Sequence, residues 1–152
     1  MNIGEKLHRD HELIKELSHQ IQSGQKRSQE KLLGELSKLL DVHMKAEERI
    51  FYERLMDIHA TKFYALEGYE EHNLAKRVLG ELQKLSPRED TWAPKFKVFN
   101  ELLEHHIKEE EGEFYEAAKE HLDEDELEEM GEQFENEKNR NIARKISRRK
   151  AA

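Results

Sequence analysis

The chain has 152 residues, no cysteine, two prolines and seven glycines, with 36% hydrophobic against 39% charged residues and a net charge of −8. That length suits one domain with a single core, and that composition favours long, well-solvated helices over sheet. Disulfides, thiolate zinc sites and iron–sulfur clusters are excluded, so any metal must be held by His, Asp and Glu; no apolar run reaches the length of a signal peptide core or a membrane span, and a cytoplasmic location is expected by default.

In chain order, the apolar spacing predicts a first amphipathic helix over about 3–21, with Ile3, Leu7, Ile14, Leu17 and Ile21 on one stripe and Gly24 as its stop. His11 falls on that stripe. A second helix over about 28–57 carries Leu32, Leu36, Leu39, Leu40, Ile50, Phe51 and Leu55, with His43 and Glu47 on the same face. A third runs from an N-cap near Thr61 to about Leu85, where Ser86-Pro87 ends it, and places His72 one turn after Tyr69. The fourth follows the Asp90 to Pro94 turn and carries Phe99, Leu102, Leu103, Phe114 and Ala117, with His106 and Glu110 between the apolar groups.

Short connections between helices of this length predict antiparallel neighbours, and hence an all-α, up-down-up-down four-helix bundle over residues 1–122. Residues 123–152 are expected as a short, basic helical extension: Leu127, Met130 and Phe134 pack on the bundle end, and the chain after Asn136 is a frayed or solvated tail. From Lys138 onward there are seven basic residues and no acidic one, which within a net charge of −8 leaves about −15 on the rest. A surface that negative repels nucleic acid, and only the tail could attract it.

One motif occurs twice: His43-Met-Lys-Ala-Glu47-Glu48-Arg-Ile-Phe51-Tyr52 and His106-Ile-Lys-Glu-Glu110-Glu111-Gly-Glu-Phe114-Tyr115. A histidine and a glutamate four apart lie one turn apart on the same helix face, the spacing of a metal-ligand pair. His11, His43, His72 and His106 each sit near the middle of a helix, so in an up-down bundle they meet at one level. Four imidazoles and two carboxylates suit a pair of iron or manganese ions, or zinc, better than calcium or magnesium. The expected metal ligands are therefore His11, His43, Glu47, His72, His106 and Glu110. Aligning the repeats pairs His106 with His43 and leaves His105 at the flank. Glu48 and Glu111 point about 100° away from the ligand glutamates, towards hydrogen bonds with the ligands or towards solvent. His8, His19, His59 and His121 are expected at the surface.

Asp10-His11, His43-x3-Glu47-Glu48, Glu71-His72 and His106-x3-Glu110-Glu111, in that order, resemble the hemerythrin-like, or HHE cation-binding, domain over about residues 5–120. The resemblance implies a non-haem di-iron centre, bridged by the two glutamates and an oxo or hydroxo group. Oxygen-carrying hemerythrins offer two histidines four apart on the third helix, whereas here Lys76 stands four after His72. Ferritin-like proteins need Glu-x-x-His on two helices, and here both matches, Glu5/His8 and Glu16/His19, fall on the first. With four histidines, two bridging carboxylates and a single-atom bridge, about one position per iron stays open.

The function expected on that basis is a di-iron protein that binds or reacts with dioxygen, peroxide or nitric oxide in redox sensing or stress protection. One alternative is an enzyme that turns over peroxide or nitric oxide, or donates iron for iron–sulfur repair. Another is a helical interaction module with a structural metal and a basic partner-binding tail, although the lack of aromatic residues after Phe134 argues against stacking on nucleic acid. Monomer and dimer are both left open.

Overall fold

The computed structural model describes residues 1–151. Its elements are α1 (Ile3–Ser23), α2 (Lys26–Glu47), α3 (Glu53–Met56), α4 (Lys62–Lys84), α5 (Trp92–Glu109), α6 (Tyr115–Lys119) and α7 (Glu124–Ala151). A π-helical turn, Glu48–Tyr52, joins α2 to α3, and a second, Glu110–Phe114, joins α5 to α6, so each pair forms one continuous rod. No strand occurs among the described residues. None of the helices among the described residues is long and apolar enough to cross a membrane.

Local signals set the ends. Asn2 caps α1, its side chain accepting from the Glu5 N–H while the Glu5 carboxylate accepts from the Asn2 N–H. Thr61 precedes α4, but its hydroxyl does not cap that helix: it donates to the Leu55 carbonyl at 2.8 Å and ties the turn back onto α3. The four rods close into a ring in which α1 packs on α2, α2 on α4, α4 on α5 and α5 on α1.

The bundle interior is divided. Ile14, Ile21, Leu36, Leu40, Leu82, Trp92, Phe96, Phe99 and Leu103 belong to one apolar cluster; Ile3, Leu7, Phe51, Tyr52, Leu55, Phe114 and Phe134 belong to another. Each such side chain contributes roughly 1.5–3 kcal/mol on burial. Between the two clusters lies a polar layer of buried His11, His43, Glu47, His72, His106 and Glu110. The apolar cores on either side hold this layer away from water.

The C-terminal segment departs from expectation. It is a single helix of 28 residues rather than a short helix with a frayed tail. Leu127, Met130 and Phe134 pack as expected, but burial continues through Glu137 and Asn141, while Ile142 and Ile146 stay largely exposed. The second half docks through charge: Glu135 pairs with Lys6 and Arg9, Lys138 with Asp10, and Lys145 with Asp41. An apolar periodicity cannot report such a contact. Gly131 allows the close approach, since a Cβ there would lie 2.4 Å from the Met1 carbonyl oxygen.

Candidate metal centre

Each bundle rod delivers donors to the polar layer from the middle of its length. α1 brings His11, α2 brings His43 and Glu47, α4 brings His72, and α5 with its π-turn brings His106 and Glu110. The structure thus brings all six sequence-derived donors together. They form two clusters, His11, His43, Glu47 and Glu110 on one side and Glu47, His72, His106 and Glu110 on the other, with donor atoms within 4.8 Å of one another. Both glutamates belong to both clusters. His43 Nε2 lies 3.4 Å from Glu47 Oε1, His72 Nε2 2.9 Å from Glu47 Oε2, His11 Nε2 3.3 Å from Glu110 Oε1, and His106 Nε2 3.4 Å from Glu110 Oε2. The His72 and His106 Nε2 atoms are 3.2 Å apart. That separation is close to the roughly 3 Å expected of two nitrogens at right angles on one metal, each about 2.1 Å from it.

The outward nitrogens obey a second rule. Every Nδ1 meets a carboxylate from the neighbouring rod: His43 with Asp10 at 3.1 Å, His72 with Glu48 at 2.8 Å, His106 with Glu71 at 2.9 Å and His11 with Glu111 at 2.7 Å. Read around the bundle, α1 supports the histidine of α2, the π-turn after α2 that of α4, α4 that of α5, and the π-turn after α5 that of α1. Nδ1–H donates to the carboxylate, which makes Nε2 the inward-facing nitrogen of all four rings, the one that a proton or a metal can occupy. Asp10 and Glu71 directly precede a layer histidine, and Glu48 and Glu111 directly follow a layer glutamate. A step of 100° per residue therefore puts one donor inside and the next against the adjacent rod.

His11 Nε2, both Glu47 oxygens and Glu110 Oε1 are shielded from solvent and have no hydrogen-bond partner. Unmet groups of this kind cost about 1–3 kcal/mol each, more when charged, so four in one place call for an electrophile. A metal cation fits that donor set.

The electrostatics agree. Burial pulls His43 down, but the Glu47 and Asp10 carboxylates outweigh it and push the imidazole up to about 10. His106 is likewise raised well above the usual histidine range, burial being outweighed by Glu110 and Glu71. Burial would raise Glu110, yet the neighbouring Glu47, His106 and His11 side chains outweigh it and hold the carboxyl well below the ordinary carboxylate range. Without metal, protons occupy the places of cations.

Comparison with known proteins gives the same answer. The profile of the hemerythrin HHE cation binding domain matches residues 2–118. The chain belongs to that family. The HHE fold also appears in a solved structure, a hemerythrin HHE cation binding domain-containing protein described as an Rv2633c homolog from Mycobacterium kansasii. That chain is 29% identical, with a TM-score of 0.81, over 92% of this chain and 86% of the other. A protein named DNA nickase from Nostoc sp. (strain PCC 7120) is 24% identical over 135 residues, which is 88% of this chain but 38% of that protein's length. This HHE chain therefore spans well under half of that relative.

Within the HHE domain, Lys76 points outward, its Nζ 3.2 Å from Glu48 Oε1, and adds no donor to the layer. His105 is exposed and pairs with Glu109 at 3.0 Å, on the flank as expected. His8 is exposed and reaches Glu111 at 3.2 Å, while His19, His59 and His121 are exposed.

The sequence reading missed Tyr52. It is fully buried, its hydroxyl 2.5 Å from Glu110 Oε2 and 3.4 Å from both His72 Nε2 and His106 Nε2. Burial, Glu110 and Glu47 hold the phenol protonated, well above its usual range. The repeat does not treat its two tyrosines alike. Tyr52 lies against Gly68, where a Cβ would come within 2.6 Å of the ring, whereas Tyr115 lies against Gly4 and its hydroxyl donates to Asn2 Oδ1 at 3.2 Å. Gly68 precedes His72 by four residues, and the residue four before His11 is the buried Leu7. A leucine there fills the space that glycine leaves open for Tyr52. The one available signal was this Gly/Leu mismatch.

Proposed function

We propose that this HHE chain is a cytoplasmic non-haem di-iron protein that binds or reacts with dioxygen, peroxide or nitric oxide in redox sensing or stress protection. His11 and His43 would hold one iron, His72 and His106 the other, with Glu47 and Glu110 shared between them. The observation that carries this reading is the space beside the donors. It is a small cavity of about 10 Å³ lined by the four histidines and by Ile14, Leu40, Met44, Leu103 and Ile107. Such a space holds about one water-sized molecule and rejects an organic substrate. Bound iron supplies open coordination positions and a change of oxidation state.

The chain's own residues supply the rest. The aliphatic wall excludes bulk water, the ring of outer carboxylates fixes each imidazole, and the Tyr52 hydroxyl holds a proton at Glu110. The test is to reconstitute the protein with ferrous iron without air, count the metal, then mix with dioxygen, peroxide or nitric oxide and follow the near-ultraviolet and visible spectrum. Two irons per chain and a spectral change with one of the three are expected. A chain that retains one zinc or none, or iron indifferent to all three, overturns the reading. Sustained consumption of peroxide would place the protein among enzymes instead.

A further inference from the structure

α7 lies beyond residues 2–118, which the family profile covers, yet it reaches the polar layer. Lys138 Nζ lies 2.7 Å from both oxygens of Asp10, which is 1% exposed, and Asp10 Oδ2 meets His43 Nδ1 at 3.1 Å. One turn earlier on the same face, the Phe134 ring meets the His43 ring edge-on at 5.9 Å, and Lys138 Nζ sits 5.2 Å above that phenyl ring. A single turn of α7 therefore touches His43 directly and also holds the carboxylate that orients it.

The other three outer carboxylates have looser partners. Glu48 meets Lys76, whose side chain is 42% exposed, Glu111 meets His8 at 59%, and Glu71 meets His105 at 62%, against 13% for Lys138. Water screens those three pairs and lets their side chains move, so they fix little. The Lys138–Asp10 pair is much better shielded, with Asp10 itself buried. Removing one partner would leave a buried charge free to turn or to draw in water.

We propose that Lys138 is a positioning residue for one half of the metal centre. By clamping Asp10 it sets the His43 ring, so that docking of α7 and loading of the His11/His43 half are coupled. The proposal rests on the metal-centre reading above. It assigns α7 a role in the centre itself, and it makes the two halves of a nearly symmetric site unequal. Coupling of this kind is reciprocal: whatever α7 docking gives to metal affinity, metal must return to α7 docking.

The experiment titrates the full chain with ferrous iron, anaerobically, against a chromophoric chelator. The wild type is expected to bind two irons, and Lys138→Met to hold one of them about 10–100-fold more weakly with the other unchanged, the usual scale for a lost outer support. Lys138→Arg should restore the affinity, and Lys145→Met, which breaks only the α7 pair with Asp41, should leave both sites alone. In Asp10→Asn, whose amide oxygen still accepts from His43, adding Lys138→Met should change nothing further. Mössbauer spectra of the iron-loaded Lys138→Met variant should show one of two signals altered.

A measurement on the unmodified chain guards against a variant that fails to fold. Iron loading should slow amide exchange in α7 around 134–141. Equal weakening of both sites, no weakening, failure of arginine to rescue, or α7 exchange indifferent to iron each overturns the proposal. A wild type that binds no metal overturns the metal-centre reading along with it, whereas two tight irons in Lys138→Met overturn this proposal alone.

Discussion

Tyr52 donates to Glu110 across the bundle, its hydroxyl 2.5 Å from Oε2, and this is the one neutral donor aimed at a carboxylate that otherwise faces imidazoles. Tyr52→Phe keeps the ring against Gly68 and removes only that donor. In metal-free protein the loss should cost about 1.5–3 kcal/mol, the usual worth of a hydrogen bond to a charged group, because Glu110 then has a second unmet oxygen. In metal-loaded protein the cost should be much smaller, since the cation takes over that oxygen. Thermal melts of both forms of both proteins decide the matter. An equal loss in the two forms would mean that Tyr52 acts on packing alone.

The pair Gly68 and Gly34 gives a contrast in the same experiment. Both are helical, but a Cβ at Gly68 would meet the Tyr52 ring at 2.6 Å, while one at Gly34 meets nothing within 4 Å. Gly34→Ala should therefore stabilise the fold by about 0.5–1 kcal/mol through helix propensity. Gly68→Ala should destabilise it by about 1–3 kcal/mol through overpacking, and should displace the Tyr52 hydroxyl from Glu110. Melting temperatures that move the same way would show that the Tyr52 ring can shift freely.

Much of this centre was legible in the sequence, because helical phase is a local property. His43-x3-Glu47 and His106-x3-Glu110 needed only 100° per residue, and the same step sends Glu48 and Glu111 to the neighbouring rods. The π-turns that follow were not legible, since a repeated Glu-Glu with Phe-Tyr three residues on carries no local rule for a wider turn. Tyr52 was lost for the same reason: its place depends on Gly68, on another rod. The docking of α7 was illegible in a different way. Its buried positions after Phe134 are Glu137 and Asn141, with Lys138 half-buried, and a polar stripe whose lysines Lys138 and Lys145 find their partners 128 and 104 residues away looks like a solvated face.

Neighbouring residues on one helix separate inner from outer roles. His106→Ala should remove a donor from the layer and sharply lower iron occupancy, whereas His105→Ala, exposed and paired with Glu109, should leave it near the parent value. Glu47→Ala and Glu110→Ala should be worse than Glu48→Ala and Glu111→Ala, since each of the first pair serves both clusters and each of the second supports one imidazole. The outer substitutions should weaken metal binding by about 10–100-fold without abolishing it. Equal effects at His105 and His106, measured as iron per chain, would require moving the ligand assignment by one residue.

Protons and metal compete for the same nitrogens, and the direction of that competition is fixed by the raised imidazoles. His43 goes from 6.5 in an ordinary environment to about 10 in the metal-free fold, with burial opposing and Glu47 and Asp10 driving the rise. A group whose folded value is raised stabilises the fold fully below its unfolded value, and that stabilisation is lost as pH climbs through the folded one. Metal-free protein should therefore lose stability between about pH 6.5 and 10. Metal-loaded protein, in which His43 has already given up its inward proton, should not share that loss. The gap in melting temperature between the two forms should widen with pH over the same window. Loading near neutral pH must also expel the proton from His43, and that from His106, which is raised well above the usual histidine range as well. At least one proton per chain should appear in solution on metal binding, and affinity should rise at least about tenfold per pH unit below the folded value. A dye-buffered titration with ferrous iron reads both quantities. Binding that releases no protons and ignores pH would show that the four inward nitrogens are not the atoms that take the metal.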